Sequence, residues 1–442
     1  MPKILIVGGG YAGFYTAFKL QKLLRRGEAE VTLVDPLPYM TYQPFLPEVA
    51  AGSIEARHII VPLRRHLKKT AVVQGKVVAV DPAKKTATVQ GSSGKPYAVK
   101  YDHIVMAAGA VSRTFPIPGV ADQAIGMKSI EEAISVRDRL IDNFSKAANL
   151  PPGKERARLL TVTVVGGGFG GIETFAELRS LASRLLKDYP ELTIEDTQFH
   201  LVEAMGRIMP EVSLETSKWV IKNLEERGAR VHLDTQLTSA VDGVIELSSG
   251  LKFESDLIVW TAGVMSNPVV RVTGFPLDER GRIRSSATLQ ITDENGKVLK
   301  GAWAAGDDAA VPDLTGGGVG GMCVPNAQHA VRQAKLMAKN IVAVLRGENP
   351  VKYFHKNLGA VAGLGMGVGV FQSGGIAIKG FPAWIMHRGY HALAMPMWER
   401  KLRVIGDWIL QFLVGRDTAS ISLRETPRAY FNEFASRPAA KK

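Results

Sequence analysis

Six glycines and two acids are the residues of this chain whose types and spacing most directly imply chemistry. Gly8, Gly10 and Gly13 stand in a G-x-G-x-x-G spacing within GGGYAG, with Gly9, Tyr11 and Ala12 between them, and Gly166, Gly168 and Gly171 repeat it within GGGFGGIE. That spacing turns a backbone sharply, lets it approach a pyrophosphate and packs the following helix tightly on the preceding strand. The phosphates would sit at the helix N-terminus, where unpaired N–H groups and the dipole favour negative charge. Each fingerprint is followed by an acid: Asp35 closes VTLVD and Glu203 closes FHLVE. A carboxylate there accepts the ribose hydroxyls of an adenosine, and one on the 2′-hydroxyl disfavours a 2′-phosphate. Glu203 therefore predicts NADH over NADPH, with Arg207, four residues on, the cation able to receive a 2′-phosphate.

The elements that must hold these residues are buried parallel strands. Ile4 to Val7 and the TVTVV starting at Thr161 are continuous apolar runs that stop at the glycines. Two complete fingerprints in one chain imply two adenine dinucleotides facing each other, hence electron transfer between them. Three further strand ends carry small residues that permit close approach of a ligand: Ala108-Gly109 in IVMAAGA, Ala262-Gly263 in DLIVWTAGV, and Gly306-Asp307 in AWAAGDDAA. The Asp307 carboxylate suits the ribityl or pyrophosphate part of a flavin. The pattern predicts an α/β chain with two Rossmann-like dinucleotide-binding domains, a flavin domain split by an inserted NADH domain, plus a C-terminal amphipathic helical region. The boundaries expected are 1–118 and 273–378 for the flavin domain, 119–272 for the NADH domain and 379–442 for the C-terminal region.

Composition narrows the class. The 442 residues, 46% of them hydrophobic, have room for two or three domains and a sizeable core. Cys323 is the single cysteine, so an intrachain disulfide, a CxxC redox pair and a cysteine metal cluster are all excluded, and no metal is expected. Because the first strand begins at Lys3, no leader is expected, and the chain should stay on the cytoplasmic side. The net charge of +13 fits anionic cofactors, anionic lipid or nucleic acid. Nucleic acid is disfavoured, since no basic run is interleaved with a stacking platform. Arg64, Arg65, Lys68 and Lys69 read as a solvated face. The stretch PLPYMTYQPFLPEVAAG, with Tyr42, Gln43 and Phe45, fits a loop over a flat ligand and a plain Pro-rich surface loop equally well. Glu173 either complements its helix dipole or turns toward the nicotinamide, and the second reading is favoured because a carboxylate beside a pyrophosphate is otherwise an odd choice.

Taken together, GGGYAG, IVMAAGA, GGGFGGIE, IVWTAGV and AAGDDA resemble the two-dinucleotide-binding flavoprotein superfamily over residues 1 to about 310. The stretch VPNAQHAVRQAKLMAKNI, with Ala327, Gln328, His329 and Ala330, resembles the quinone-site helix of type II NADH dehydrogenases, the single-subunit NADH:quinone oxidoreductases. The resemblance implies non-covalent FAD, Gln328 beside the isoalloxazine ring where a quinone headgroup docks, Glu173 near the nicotinamide, and Gln43 in a loop near the flavin where the family commonly has Thr. Arg332 and Gln333 leave the family's second glutamine, and so the quinone's second contact, unassigned. The alternatives are a helix-surface role for Gln328, a soluble flavoprotein reductase or oxidase with another acceptor, and an NADH-sensing flavin protein that binds nucleic acid.

From Phe381 onward the chain holds ten Lys/Arg against five acids. Trp398, Leu402, Ile405, Trp408, Ile409, Phe412 and Leu413 recur at helical spacing, with Arg400, Arg403, Asp407 and Gln411 opposite. Apolar runs there fall short of the roughly 18 residues a spanning helix needs. The expectation is a helix lying in a membrane interface, with docking on the chain's own core or on a dimer partner as the alternative. The expected partners are NADH, a membrane quinone and the membrane surface, with a homodimer left open; without spanning helices, no proton pumping is expected.

Overall fold

A computed structural model describes residues 1–91, 94–356 and 358–421. Four strands and five helices position the candidate sites: β1 (Lys3–Val7), α1 (Tyr11–Leu23), β2 (Glu30–Asp35), β3 (Thr161–Val165), α2 (Phe169–Leu185), β4 (Gln198–Val202), α3 (Ala327–Leu345), α4 (Phe381–Ala394) and α5 (Trp398–Val414). The chain divides into two compact units, the first formed by Met1–Tyr42, Ile60–Arg113 and Gly263–Leu358, the second by Gln43–Ile59, Thr114–Ala262 and the chain from Gly359 onward.

The first unit is built on an eight-stranded sheet. β1 lies between β2 and His103–Met106, parallel to both, and Ile4 to Val7 are buried as their apolar run requires. Val298–Ala304 continues the parallel part beyond His103–Met106, and Ala71–Asp81 continues it beyond β2. Ala71–Asp81, Thr86–Gly91 and Tyr97–Lys100 then form the antiparallel meander that the alternating sequence predicts. Helices α1 and α3 pack together, with the Thr16 hydroxyl donating to Ala12 O at 2.6 Å and lying 3.4 Å from Ala334 O.

The second unit repeats the plan. β3 lies between β4 and Leu257–Trp260 in a five-stranded, all-parallel sheet, and all five β3 residues are buried. After Gly359 come three antiparallel strands, Ala360–Gly363, Gly369–Ser373 and Ile376–Lys379, and then α4 and α5. The first unit is thus interrupted by the second, with junctions at Tyr42/Gln43, Ile59/Ile60, Arg113/Thr114, Ala262/Gly263 and Leu358/Gly359. Gln43–Ile59 and residues 359–378, expected within the flavin domain, group instead with the second unit. Residues 422–442 of the expected C-terminal region lie outside the described residues.

Helices α4 and α5 are amphipathic in the inverted sense. In α5 the polar residues face protein: Arg400 Nη1 donates to Arg57 O at 2.9 Å, Asp407 Oδ2 lies 2.7 Å from His58 Nδ1, and Gln411 Nε2 donates to Ser53 Oγ at 3.0 Å. Trp398, Leu402, Ile405, Ile409, Phe412 and Leu413 are exposed. Trp408 departs from its expected face: Nε1 donates to Glu48 Oε2 at 2.8 Å and the ring packs edge-on against Phe45. Its indole needs an acceptor when half-buried, and the Glu48 carboxylate supplies one. Arg403, grouped by spacing with Arg400, Asp407 and Gln411, is exposed rather than turned inward with them. In α4 the buried side chains are Ala383, His387 and His391, while Phe381, Ile385, Tyr390 and Leu393 are exposed. Among the described residues no helix is long and apolar enough to cross a membrane.

Candidate functional site

The first fingerprint forms a cradle whose glycines have separable reasons. Gly8 has φ +104°, and a Cβ there would lie 2.2 Å from Ala107 O; a Cβ on Gly13 would lie 1.8 Å from Gly8 O. These two positions exclude side chains on fold grounds alone. Around Gly10, by contrast, nothing lies within 4 Å of the Cβ position. Gly10 is also the N-cap of α1 and provides no side-chain cap, so the first-turn N–H groups face open space that an anion fits. The Gly9 amide donates to Asp35 Oδ2 at 2.5 Å and the Leu37 amide to Oδ1 at 2.7 Å. Burial pushes the Asp35 carboxyl above its usual range against these two bonds. The Tyr11 ring packs tilted on Tyr42, 6.1 Å between centroids.

The second fingerprint reproduces this point for point. Gly166 has φ +113° and a Cβ would meet Ala262 N at 2.8 Å; a Cβ on Gly171 would lie 1.9 Å from Gly166 O; around Gly168, the uncapped start of α2, nothing lies within 4 Å. The Gly167 amide donates to Glu203 Oε2 at 2.5 Å and the Met205 amide to Oε1 at 2.7 Å. Arg207 does not stand ready for a phosphate: its Nη2 donates to Val212 O at 2.5 Å and lies 3.4 Å from Met209 O. Two cradles open where a pyrophosphate would lie, each ending in a carboxylate, fit two dinucleotides.

The other expected residues divide between the units. Ala108, Gly109, Gly306, Asp307, Ala327 and Gln328 belong to the first unit, as does the Gly8–Gly13 turn. Gly306, with φ +92°, is where α1 and α3 converge: a Cβ would sit 3.1 Å from the Ala12 methyl and 3.8 Å from that of Ala330. Its amide donates to Gln333 Oε1 at 2.9 Å, which assigns the buried Gln333 to holding this turn, while Arg332 Nη1 folds back on Gln328 O at 3.0 Å. Helix α3 starts at Asn326, whose Oδ1 accepts from the His329 amide at 2.8 Å. Asp308 is a residue the sequence reading passed over. It is fully buried, accepts from the Ala108 amide at 2.7 Å through Oδ2, and its Oδ1 has no hydrogen-bond partner among the described residues. Burial, with Asp307 adding to it, pushes this carboxyl up to about 7. The second acid of GDDA was the available signal.

In the second unit stand Gly166, Gly168, Gly171, Glu203, Ala262, Glu173 and Gln43. Gln43 Nε2 donates to Lys128 O at 3.1 Å, within a segment whose later residues serve α4 and α5 rather than a free loop. Glu173 Oε1 accepts from the Gly363 amide at 3.0 Å and lies 3.2 Å from His387 Nε2, though not aligned for a geometric hydrogen bond. Burial disfavours the imidazolium of His387, but Glu173, Glu48 and Glu177 outweigh it and raise the group above the usual histidine value. His391, four residues on and equally enclosed, is pushed well below it by burial and by His387. Glu48 is buried and raised by that burial, with the Arg388 guanidinium, 3.4 Å away, pulling the other way. The His387/His391 spacing inside an apolar helix was the sequence signal for this cluster.

Comparison with known proteins agrees with this geometry. Residues 2–334 match the family described as pyridine nucleotide-disulphide oxidoreductase. The chain is 31% identical over 380 residues to the type II NADH:quinone oxidoreductase of Haemophilus influenzae, covering 81% of this chain and 83% of that one. It is 30% identical over 397 residues to the enzyme of the same name from Staphylococcus aureus, covering 87% and 93%. Its fold matches the structure of NDH2 from Plasmodium falciparum in complex with NADH, with a TM-score of 0.86 at 18% identity, over 95% of this chain and all of that one.

Proposed function

The chain belongs to the pyridine nucleotide-disulphide oxidoreductase family and, within it, to the type II NADH:quinone oxidoreductases; from that premise we propose that it works through non-covalent FAD and from the membrane surface. It is an NADH:quinone oxidoreductase that binds NAD(H) and a flavin. The observation that carries the reading is the pair of matching cradles, each with an open second glycine and an acid tied to the fingerprint backbone. A pyrophosphate cradle with a ribose acid favours the dinucleotide FAD over a mononucleotide flavin, so Gly8–Gly13, Asp35, Ala108, Gly109, Gly306 and Asp307 are assigned to it. Gly166, Gly168, Gly171, Glu203, Ala262 and Gly263 are assigned to NADH. Arg207, engaged with backbone carbonyls, supports the preference over NADPH.

When bound, the flavin supplies the two-electron relay between nicotinamide and quinone. The protein's part is orientation. Glu173, held by the Gly363 amide, is assigned to the nicotinamide end, and Gln328 to the quinone headgroup as a hydrogen-bond donor. The outward apolar residues of α4 and α5 suit burial in a lipid interface, on the cytoplasmic face and without proton pumping. Heat extraction of the purified yellow protein should release FAD, and NADH should be oxidised rapidly only when a quinone is added. Release of FMN, or turnover indifferent to quinone, would overturn this reading.

A further inference from the structure

Between α3 and the first strand after Gly359, the chain crosses α3 as a strap, Val351–His355, tied down at three points. Val351 exchanges two hydrogen bonds with the buried Asn340, its amide donating to Oδ1 at 2.9 Å and its carbonyl accepting from Nδ2 at 2.8 Å. The Tyr353 amide donates to Ala287 O at 2.6 Å, and its hydroxyl lies 2.9 Å from His329 Nδ1. These ties deliver His355 to the first turn of α3, where its Nε2 lies 3.0 Å from Gln328 Oε1 and its ring stands edge-on to that of His329, 5.6 Å between centroids.

The contact ties the orientation of the Gln328 amide to the tautomer of His355. An amide side chain has two nearly equivalent flips about its last torsion, one presenting oxygen and the other NH2. With Oε1 facing His355, as in this structure, the imidazole carries its proton on Nε2, since a carboxamide oxygen only accepts. Burial, and then the charges of Arg332 and His329, hold His355 below the usual histidine value, which fits a neutral ring with one N–H. The Gln328 nitrogen has no hydrogen-bond partner among the described residues, and the side chain is half-exposed. We propose that His355 is a positioning residue for the acceptor site: its Nε2–H holds the Gln328 oxygen so that the amide NH2 is presented to a quinone carbonyl. Without it the amide is free to flip and present oxygen, which repels the carbonyl it should bind. The inference rests on the assignment of Gln328 to the quinone headgroup.

The test uses the holoprotein with decylubiquinone as probe. His355→Phe keeps a ring against His329 but removes the donor. Its KM for decylubiquinone, and its equilibrium Kd for that quinone in the oxidised protein, should rise about tenfold, as losing one hydrogen bond implies. The rate of flavin bleaching by NADH without oxygen or quinone should be unchanged. His355→Gln, whose amide nitrogen reaches the place of Nε2, should restore Kd to within about threefold, whereas His355→Asn, one bond shorter, should not. In a Gln328→Ala background, His355→Phe should add nothing. Unchanged Kd in His355→Phe and His355→Asn, failure of His355→Gln to rescue, or full additivity with Gln328→Ala would each overturn the proposal. If Gln328→Ala itself leaves quinone Kd and KM untouched, the assignment of Gln328 fails first, so the two failures are told apart.

Discussion

Ile409 and its neighbour Trp408 should respond oppositely to substitution, because α5 turns its polar face toward protein. Ile409 is 55% and Phe412 86% exposed, while Trp408 donates to the buried Glu48. Burying an exposed Ile or Phe side chain in lipid contributes about 1.5–3 kcal/mol each. Ile409→Glu with Phe412→Glu removes both and sets two carboxylates against anionic headgroups, so roughly 3–6 kcal/mol of membrane affinity should go, or about two to four orders of magnitude in partitioning. Flotation with phosphatidylcholine/phosphatidylglycerol vesicles reads this directly. The double variant should stay in the aqueous fraction, keep its flavin and oxidise NADH with a water-soluble quinone, since neither side chain is part of the buried cluster. Trp408→Phe should float normally but lose about 1.5–3 kcal/mol of stability, because the buried Glu48 carboxylate then loses its 2.8 Å donor and keeps only the longer contact to Arg388. A double variant that still floats, or a Trp408→Phe that detaches while remaining fully stable, would refute the inverted orientation.

Glu203→Gln replaces one of two accepting oxygens by an NH2, leaving the Gly167 or Met205 amide unmatched; the NADH/NADPH ratio of kcat/KM should fall by a factor equivalent to about 1.5–3 kcal/mol, and an unchanged ratio would remove Glu203 from the ribose. Protonated His387 stabilises the fold in full below its unfolded value near 6.5 and loses that contribution as pH rises through its higher folded value, so His387→Gln should flatten the decline of urea midpoints above pH 6.5. Asp308 has the opposite chemistry but the same direction: a carboxyl held at about 7 in the fold and near 4 unfolded costs stability as pH rises from 4 to 7. Asp308→Asn should therefore gain about 2.5 kcal/mol relative to wild type between pH 5 and pH 8, measured by denaturation at both.

The parts that were legible in the sequence are those whose meaning is local. Strand, glycine turn, helix, strand and acid follow within 33 residues, Lys3 to Asp35, in the first cradle and 43, Thr161 to Glu203, in the second, and every backbone constraint on Gly8, Gly13, Gly166 and Gly171 comes from atoms one turn or one neighbouring strand away. The roles of Asp308, His355 and His387 were not legible, since each depends on a tertiary partner that no local motif announces: the Ala108 amide, the Gln328 amide in the first turn of α3, and Glu173. Gln333 lies between. Its spacing left the family's second glutamine unassigned, and burial and the bond to the Gly306 amide assign Gln333 to the turn.

The stretch after Asp35 illustrates the limit most fully. As sequence it is proline-broken and apolar, equally suited to a ligand cover or a surface loop. In the fold, Phe45, Glu48, Ser53, Glu55 and His58 receive His391, Arg388, Trp408, Gln411 and Asp407. Periodicity gives a helix two faces and is silent on which one is inside; that is decided by whether a distant segment offers apolar or polar partners. Gln43–Ile59 offers a carboxylate, a hydroxyl, an imidazole and backbone groups, so the charged and amide residues of α4 and α5 turn inward to satisfy them. The same requirement that buried polar groups be paired leaves the Leu, Ile and Phe side chains outside, which is the surface that the proposed lipid interface would cover.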